Sequence, residues 1–268
     1  MIKNTFHLFW AGQHLSYLRY LTFKTCRMFH PDAEIILHHS KNYSTVTNWI
    51  RERQDFHSDM GKNYFERLQD LNVIIKNNDK YSNFSPVYQA DFLRWEILNE
   101  TGGVYLDTDQ LILKNFDSLL DCDMFYCSYL LPIGIPYYPI GVLGSASGHW
   151  IPQEILKNIK NFFNPNEYQS IGPNLFRQFM MTPIIKEKTN SDNGINDYPR
   201  VYFYPAPEPD RFCEMMFSEN SIDCDDSYAI HWFGGYTASH QFNSSYTEEK
   251  AKTSDDTIST YLRKIGAV

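Results

Sequence analysis

Two aspartates, Asp107 and Asp109, stand two residues apart directly after the short apolar run Val104–Leu106. Residues two apart in an extended backbone point to the same side, so both carboxylates can converge on one cation, or on a cation and the ligand beside it. Carboxylate oxygens are hard ligands, which favours Mg²⁺ or Mn²⁺, and such an ion usually bridges to phosphate. The spacing therefore predicts a site for a divalent cation and a phosphorylated ligand.

The same D-x-D pattern also occurs at Asp121–Asp123 and Asp223–Asp225, so the pattern alone is a weak signal. Asp107 and Asp109 differ from these copies because they follow a helix, a Gly-Gly pair and an apolar strand, and ligands gather at strand ends in open α/β sheets. A calcium-binding EF-hand loop is excluded, since the glycine of its turn and its closing glutamate are both missing.

A helix and the strand after it must position these carboxylates. Ser85 is a good N-cap, Pro86 suits the first helical turn, and Gly102-Gly103 supplies a stop. Asp91 and Arg94 are three residues apart and therefore neighbours on the helix surface, where apolar residues flank them. The pair is either a partly buried salt bridge between helix and sheet or part of a binding site.

The start of the chain predicts a strand over Ile2–Trp10, a helix over Ser16–Phe29 and a second strand over Glu34–His38. This β-α-β order is what a doubly wound sheet requires, because a crossover helix must return the chain to a parallel neighbour. No G-x-G-x-x-G follows the first strand, which argues against a dinucleotide-binding domain. Val201–Tyr204 is predicted as a further strand.

The composition limits which kinds of binding partner and which cellular compartment we expect for the protein. The chain has 268 residues, 43% of them hydrophobic, which suits one domain with a sizeable core. A net charge of −8 argues against nucleic acid and against an anionic membrane surface. Five cysteines without a C-x-x-C pair indicate a reducing compartment, and no apolar run could span a bilayer. We therefore expect a cytoplasmic protein, with peripheral membrane association left open.

The run Ala90–Asp109, A-D-F-L-R-W-E-I-L-N-E-T-G-G-V-Y-L-D-T-D, resembles the signature of glycosyltransferase family 32. That family includes yeast-type mannosyltransferases and bacterial capsule enzymes, and the clostridial glucosylating toxins share a similar arrangement. The resemblance implies an α/β fold, a single GT-A type, Rossmann-like domain with a mainly parallel central sheet flanked by helices. It also implies a nucleotide-binding half over residues 1–115 and a donor-sugar and acceptor half over residues 116–268.

The resemblance also assigns roles to individual residues. Asp109 is expected to bind the metal directly, Asp107 to contact ribose or sugar hydroxyls and the metal, and His231 of the A-I-H segment to complete the metal site. Asp91 and Arg94 are expected to hold donor-sugar hydroxyls. The expected catalytic residues are Asp91, Arg94, Asp107 and Asp109. The expected substrate-binding residues are His7, Trp10, Asp91, Arg94, Asp107, Gly172, Pro173, Asn174 and Trp232.

Several of these residues also have an ordinary structural interpretation. Trp10, at the end of the first strand, matches the residue that packs on the nucleotide base in the family, but it could equally be a core residue. His231 could be a satisfied core histidine. Gly172-Pro173-Asn174 resembles the family's T-G-P segment, and a helix start there offers free N–H groups to a phosphate or forms a simple turn.

The function implied is that of a metal-dependent, retaining glycosyltransferase using Mn²⁺ or Mg²⁺. It would move a hexose or N-acetylhexosamine from a nucleotide-diphosphate sugar, with UDP favoured, to a glycan or other hydroxyl acceptor. Ile140-Gly141 stands where the family usually carries small polar residues, so the donor sugar stays open. The alternatives are a GDP-mannose-dependent mannosyltransferase, a catalytically silent nucleotide-sugar or glycan-binding module, and a metal-dependent phosphoesterase or glycosidase.

Overall fold

The computed structural model of the protein describes residues 1–45, 61–206 and 209–268. Its strands are β1 (Thr5–Ala11), β2 (Glu34–Ser40), β3 (Ile74–Asn77), β4 (Gly103–Leu106), β5 (Gln110–Ile112), β6 (Met124–Cys127), β7 (Tyr129–Leu130), β8 (Pro136–Tyr137), β9 (Val142–Ser145), β10 (Ile195–Tyr198) and β11 (Ala229–His231). Its helices are α1 (Tyr17–Phe29), α2 (Pro86–Glu100), α3 (Trp150–Phe162), α4 (Pro173–Met180), α5 (Pro183–Ser191), α6 (Pro209–Ser218), α7 (Thr237–His240), α8 (Phe242–Ser245), α9 (Glu248–Thr253) and α10 (Thr257–Lys264). Among these helices, none combines the length and apolarity that crossing a bilayer would need.

Within the described residues, seven strands form one sheet in the order β10-β6-β9-β4-β1-β2-β3. β1 pairs in parallel with β2 and β4, β2 with β3, and β6 with β10. β9 runs antiparallel between β4 and β6. The predicted α/β fold with a mainly parallel central sheet is therefore confirmed.

The central strand β1 is buried on both faces. Phe6 and Leu8 pack into the core on the α1 side, whereas Phe9 and Ala11 pack into the core that includes α2. Neighbouring side chains of a strand alternate between its faces, and a sheet covered on both sides needs apolar residues at nearly every position. The carboxyl end of β1 therefore lies between two packed layers.

Helix α2 connects directly to β4, the strand that carries the D-x-D segment. The helix begins at Pro86 as predicted, but the Ser85 hydroxyl makes no capping hydrogen bond. Gly102 has φ +68°, and a Cβ there would lie 2.5 Å from the Ser147 amide nitrogen. Only glycine fits that turn, so the predicted Gly-Gly stop sets where α2 ends and β4 begins.

The predicted strand at Val201–Tyr204 is wrong. Residues Arg200–Tyr202 form a 3-10 turn, and the strand in this region is β10, which pairs in parallel with β6 from Ile195 opposite Met124. β10 lies at one end of the described sheet. Its pairing with β6 outweighs the low strand propensity of its Asn and Asp residues.

Candidate active site

A cavity of about 520 Å³ opens where β1 and β4 end. Its charged and amide side chains come from both halves of the chain and are Arg19, Asp91, Arg94, Asp107, Asp109, Gln169, Asn174, Arg177 and His231. Its aromatic side chains are Phe9, Trp10, Tyr105, Tyr129, Tyr137, Tyr168, Tyr204, Phe233 and Tyr236. A concave site with aromatic walls and a few convergent charges is the usual form of a small-ligand pocket.

The two D-x-D carboxylates meet His231 at this cavity. β5 and β11 pair antiparallel with His231 opposite Gln110, which places the imidazole beside Asp109. Nε2 of His231 lies 3.3 Å from Oδ1 of Asp109. One ligand atom from each of Asp107, Asp109 and His231 lies within 4.8 Å of the other two. The predicted metal-binding residues are therefore brought together.

Asp109 is held as an anion. Its Oδ2 accepts a hydrogen bond of 2.7 Å from the Gly234 amide, and its side chain is almost entirely buried. Burial acts to raise the pKa of Asp109, but the His231 imidazole, the Arg19 guanidinium and the Gly234 amide hold that pKa below its ordinary value. A fixed, ionised carboxylate is what a cation ligand requires.

Asp107 is the more open of the two carboxylates. Its side chain is 29% exposed, and Nη2 of Arg94 lies 3.2 Å from its Oδ1. Burial raises the pKa of Asp107, Arg94 opposes that rise, and the charge of Asp109 adds to it. The carboxylate therefore faces the cavity while one of its oxygens is fixed by Arg94.

Asp91 and Arg94 form a buried pair below the cavity. Nη2 of Arg94 lies 3.1 Å from Oδ1 of Asp91, and both side chains are about 95% covered. Burial raises the pKa of Asp91 to about 7 in spite of Arg94, since that guanidinium is shared with Asp107. The structure is consistent with both interpretations of this pair. It is a salt bridge that joins α2 to the D-x-D segment, and it also lines the cavity.

The donor set at this site fits a divalent metal ion. Asp107 and Asp109 each present a carboxylate oxygen, and His231 presents a ring nitrogen, to the same part of the cavity. Two carboxylates with one imidazole are ligands that suit Mn²⁺ and also allow Mg²⁺. These three side chains are close enough together that they would hold one such ion between them.

Trp10 lies at the end of β1 and lines the cavity. Its Nε1 donates a hydrogen bond of 2.9 Å to the His14 carbonyl, and the Arg19 guanidinium lies 4.6 Å from its ring centroid. Arg19 also donates a hydrogen bond of 2.8 Å to the Thr108 hydroxyl. The tryptophan is thus largely covered, but one part of it forms the wall above the D-x-D segment.

The predicted helix start at Pro173 lies on the opposite wall. Pro173 and Asn174 line the cavity. Gly172 does not, but a Cβ at Gly172 would lie 2.7 Å from Oδ2 of Asp91. Because it has no Cβ, Gly172 lets α4 approach the buried Asp91–Arg94 pair. Gly172 therefore supports the site through close packing.

Two predicted substrate-binding residues lie away from the cavity. His7 is in the middle of β1, where its ring faces the Gly102 carbonyl at 3.0 Å and the His38 ring at 3.1 Å. Trp232 is fully buried, and its ring packs against Gly234 and Arg19. His7 precedes the strand end at which ligands have access, and Trp232 is not among the residues that line the cavity. Their positions give no support to a substrate contact.

Many residues that line the cavity were absent from the sequence predictions, among them Arg19, Phe233 and Tyr204. Arg19 could have been found, because it is a cation flanked by Leu18 and Tyr20 in the first turn of α1. Phe233 lines the cavity in place of Trp232, with φ +53° and its ring centroid 4.2 Å from that of His231. Tyr204 has a buried hydroxyl without a hydrogen-bond partner in the described part of the chain, and no local pattern marks it.

Comparison with known proteins finds two family models that match different parts of the chain. The family model described as a glycosyltransferase sugar-binding region containing a DXD motif matches residues 16–126, and that of an alpha 1,4-glycosyltransferase conserved region matches residues 144–261. Both models describe glycosyltransferases, so each matched segment is similar to that class of enzyme. An uncharacterized glycosyltransferase, L373, of Acanthamoeba polyphaga mimivirus is 29% identical over an alignment covering 68% of this chain and 78% of the relative.

Two solved glycosyltransferase structures are similar to this chain at low identity. The PaToxG glycosyltransferase has a TM-score of 0.48 at 21% identity, covering 70% of this chain and 72% of its own. The galactosyltransferase LgtC, in complex with donor and acceptor sugar analogues, has a TM-score of 0.46 at 13% identity, covering 98% of this chain and 96% of its own. The fold predicted for this chain agrees with its mixed, mainly parallel sheet and flanking helices.

Proposed function

We propose that the protein is a glycosyltransferase that uses a divalent cation, Mn²⁺ or Mg²⁺, to transfer a hexose or N-acetylhexosamine from a nucleotide-diphosphate sugar to a hydroxyl acceptor. The observation that carries the proposal is the convergence of Asp107, Asp109 and His231 at a cavity whose wall also holds the Asp91–Arg94 pair. UDP is favoured as the nucleotide because the toxin-like and bacterial members of the resembling group use it. GDP-mannose is the alternative donor.

Asp107, Asp109 and His231 are the residues that would hold the cation. When bound, the cation would neutralise charge on the diphosphate and so make the nucleotide a better leaving group. Asp109 contributes a fixed anion, and Arg94 orients Asp107 towards the cavity. In this proposal the nucleotide binds against residues 1–115, beside Trp10, and the sugar and the acceptor bind against residues 116–268.

The transfer exchanges one bond for another. The bond between the anomeric carbon and the diphosphate oxygen breaks, and its electron pair leaves with the nucleoside diphosphate. The acceptor hydroxyl oxygen forms the new bond, and its proton passes to the departing diphosphate oxygen. Asp91 and Asp107 are engaged by Arg94, and Asp109 by the Gly234 amide, so front-face attack with retention is favoured over a covalent carboxylate intermediate.

The test is turnover of a panel of UDP- and GDP-sugars with Mn²⁺, comparing the native protein with Asp109→Ala. We expect the native protein to release nucleotide and form a new glycosidic bond with retained configuration. Chelation and Asp109→Ala should both abolish turnover, whereas Asp121→Ala, in an exposed D-x-D copy, should not. Donor binding without turnover would identify a silent binding module, and turnover that survives chelation would favour a glycosidase.

A further inference from the structure

The hairpin formed by β7 and β8 stands beside the cavity and has a well-defined turn. Tyr129 pairs with Tyr137 and Leu130 with Pro136. The Leu131 amide donates to the Ile135 carbonyl at 2.9 Å, and the Gly134 amide donates to the Leu131 carbonyl at 2.8 Å. Gly134 has φ +76°, so the loop 132–134 is a tight turn that ends in a left-handed glycine. The chain holds this tip in one conformation.

The tip of this hairpin is apolar and exposed. The exposed fractions are 69% for Leu130, 75% for Ile133 and 40% for Ile135. Turns that face water usually carry Asn, Asp or Ser, each of which makes local hydrogen bonds. Here the stretch 128–139, S-Y-L-L-P-I-G-I-P-Y-Y-P, has no charged residue at all. A tip of this composition needs an apolar partner to cover it.

We propose that the β7–β8 hairpin inserts its tip into the surface of a lipid bilayer and holds the mouth of the cavity there, where a lipid-linked hydroxyl acceptor can enter. The order of side chains along the hairpin fits a bilayer. Leu130, Ile133 and Ile135 form the aliphatic tip, and Tyr129 and Tyr137 pack against each other at the base with ring centroids 5.5 Å apart. Aliphatic groups prefer the hydrocarbon, whereas tyrosines prefer the interface with water.

The size of the tip also favours a bilayer over a protein partner. A stable protein interface covers roughly 800 Å² on each partner, which is more than three aliphatic side chains on a two-stranded hairpin supply. Shallow insertion into lipid has no such requirement, because binding grows with the apolar area inserted. The net charge of −8 gives no general attraction to anionic lipids, so we expect the attachment to be apolar and little affected by salt.

The hairpin is continuous with the active site. Tyr129, Leu131 and Tyr137 line the cavity, while Leu130, Ile133 and Ile135 point outwards and are not among its lining residues. One wall of the cavity is therefore the base of the proposed anchor. An acceptor headgroup carried on a lipid can reach the D-x-D segment from that side without leaving the bilayer. The acceptor assignment rests on the proposed glycosyl transfer, but insertion of the hairpin does not.

The first test is sedimentation with phosphatidylcholine vesicles. We expect the native protein to bind at both about 0.1 M and about 1 M salt, and the variant Leu130→Ser/Ile133→Ser/Ile135→Ser to bind at least tenfold more weakly. Ile75→Ser is the matched control, since Ile75 is 44% exposed on the edge strand β3 at the far side of the sheet. No vesicle binding by the native protein, or equal binding by the triple variant, would overturn the proposal. A native dimer that the triple variant abolishes would also overturn it, since a second copy would then cover the tip.

The second test separates the anchor from the chemistry. Donor hydrolysis in solution should be equal in the native protein and the triple variant, because the three substituted residues do not line the cavity. Transfer to a monoglycosyl lipid in the vesicles should fall at least tenfold in the triple variant. Vesicle binding by the native protein without any such transfer would overturn the acceptor assignment. Absence of donor turnover by either protein would instead contradict the proposed function and leave the binding result intact.

Discussion

Nη2 of Arg94 lies 3.2 Å from Oδ1 of Asp107 and 3.1 Å from Oδ1 of Asp91, so one guanidinium serves two carboxylates of the active site. Its Nη1 donates to the Ile140 carbonyl. The planar fork of arginine can satisfy several partners at fixed angles, whereas the single ammonium of lysine cannot. Arg94 therefore sets the position of Asp107 as well as neutralising it.

Arg94→Lys should lower kcat/KM of transfer about 100-fold, which corresponds to about 2.7 kcal/mol of transition-state stabilisation, because Asp107 loses its fixed orientation. Steady-state kinetics with the preferred donor would measure it. Arg67→Lys is the control, since Arg67 pairs with Glu248 at 3.2 Å on the surface and such pairs contribute little. Native activity in Arg94→Lys would mean that the buried pair only joins α2 to the sheet.

His231→Asn should raise the Mn²⁺ concentration needed for half-maximal activity about 10- to 100-fold, because one of three ligands is removed while both carboxylates stay. High Mn²⁺ should restore part of the rate. Manganese binding, followed by calorimetry, and activity as a function of Mn²⁺ would measure the change. His149→Asn is the control, since His149 is the N-cap of α3 and asparagine is also a good cap. An unchanged Mn²⁺ requirement in His231→Asn would exclude His231 as a ligand.

Tyr204→Phe should reduce transfer about tenfold without loss of stability. The Tyr204 hydroxyl is buried and has no hydrogen-bond partner among the described residues, and removing an unsatisfied buried group does not destabilise a fold. A Cβ at Gly141 would lie 3.0 Å from that hydroxyl and 2.8 Å from Oδ2 of Asp107, so the hydroxyl stands next to the reacting centre.

Tyr246→Phe gives the opposite expectation and serves as the comparison. The Tyr246 hydroxyl is 2.7 Å from the Ser259 hydroxyl in the core, so its removal should cost about 1 kcal/mol in the free energy of unfolding and leave transfer unchanged. Denaturant unfolding and kinetics on both variants would test the pair. If Tyr204→Phe lost stability and kept its activity, the Tyr204 hydroxyl would be a structural group.

The sequence was most informative where one local pattern determined both structure and position. Ser85–Asp109 predicts a helix, a glycine stop, a strand and two carboxylates at the strand end, and each of these is found. His231 was reached only through the family resemblance. Its partnership with Asp109 depends on the pairing of β5 with β11, which no local pattern encodes.

The sequence was least informative where a side chain's direction depends on tertiary packing. Trp232 and Phe233 are adjacent aromatics, and only the turn after β11, with Phe233 at φ +53°, puts the phenylalanine rather than the tryptophan into the cavity. His7 lies on the predicted first strand, but too far from its carboxyl end to meet a ligand. Tyr204 follows a 3-10 turn that was predicted as a strand.

His30 should make the protein sensitive to mild acid. Its side chain is 1% exposed between Phe6 and Phe116, and neither ring nitrogen has a hydrogen-bond partner among the described residues. Burial lowers the pKa of His30 to about 4, well below the 6.5 expected when the chain is unfolded. As the pH falls from 6.5 towards 4, the unfolded chain binds a proton that the folded protein excludes, so stability present above pH 6.5 is lost.

Between pH 7.5 and pH 5, His30 should cost the native protein about 2 kcal/mol in the free energy of unfolding, and His30→Leu should not show this loss. Denaturant unfolding at both pH values would measure the difference. His30→Gln separates titration from polarity. It should lose the same part of the pH dependence as His30→Leu, because glutamine is polar but does not titrate. Burial also lowers the pKa of His7 to about 4 and that of His38 to about 3, so part of the slope should remain. A pH dependence in His30→Leu equal to that of the native protein would show that His30 is protonated at no cost in the folded state.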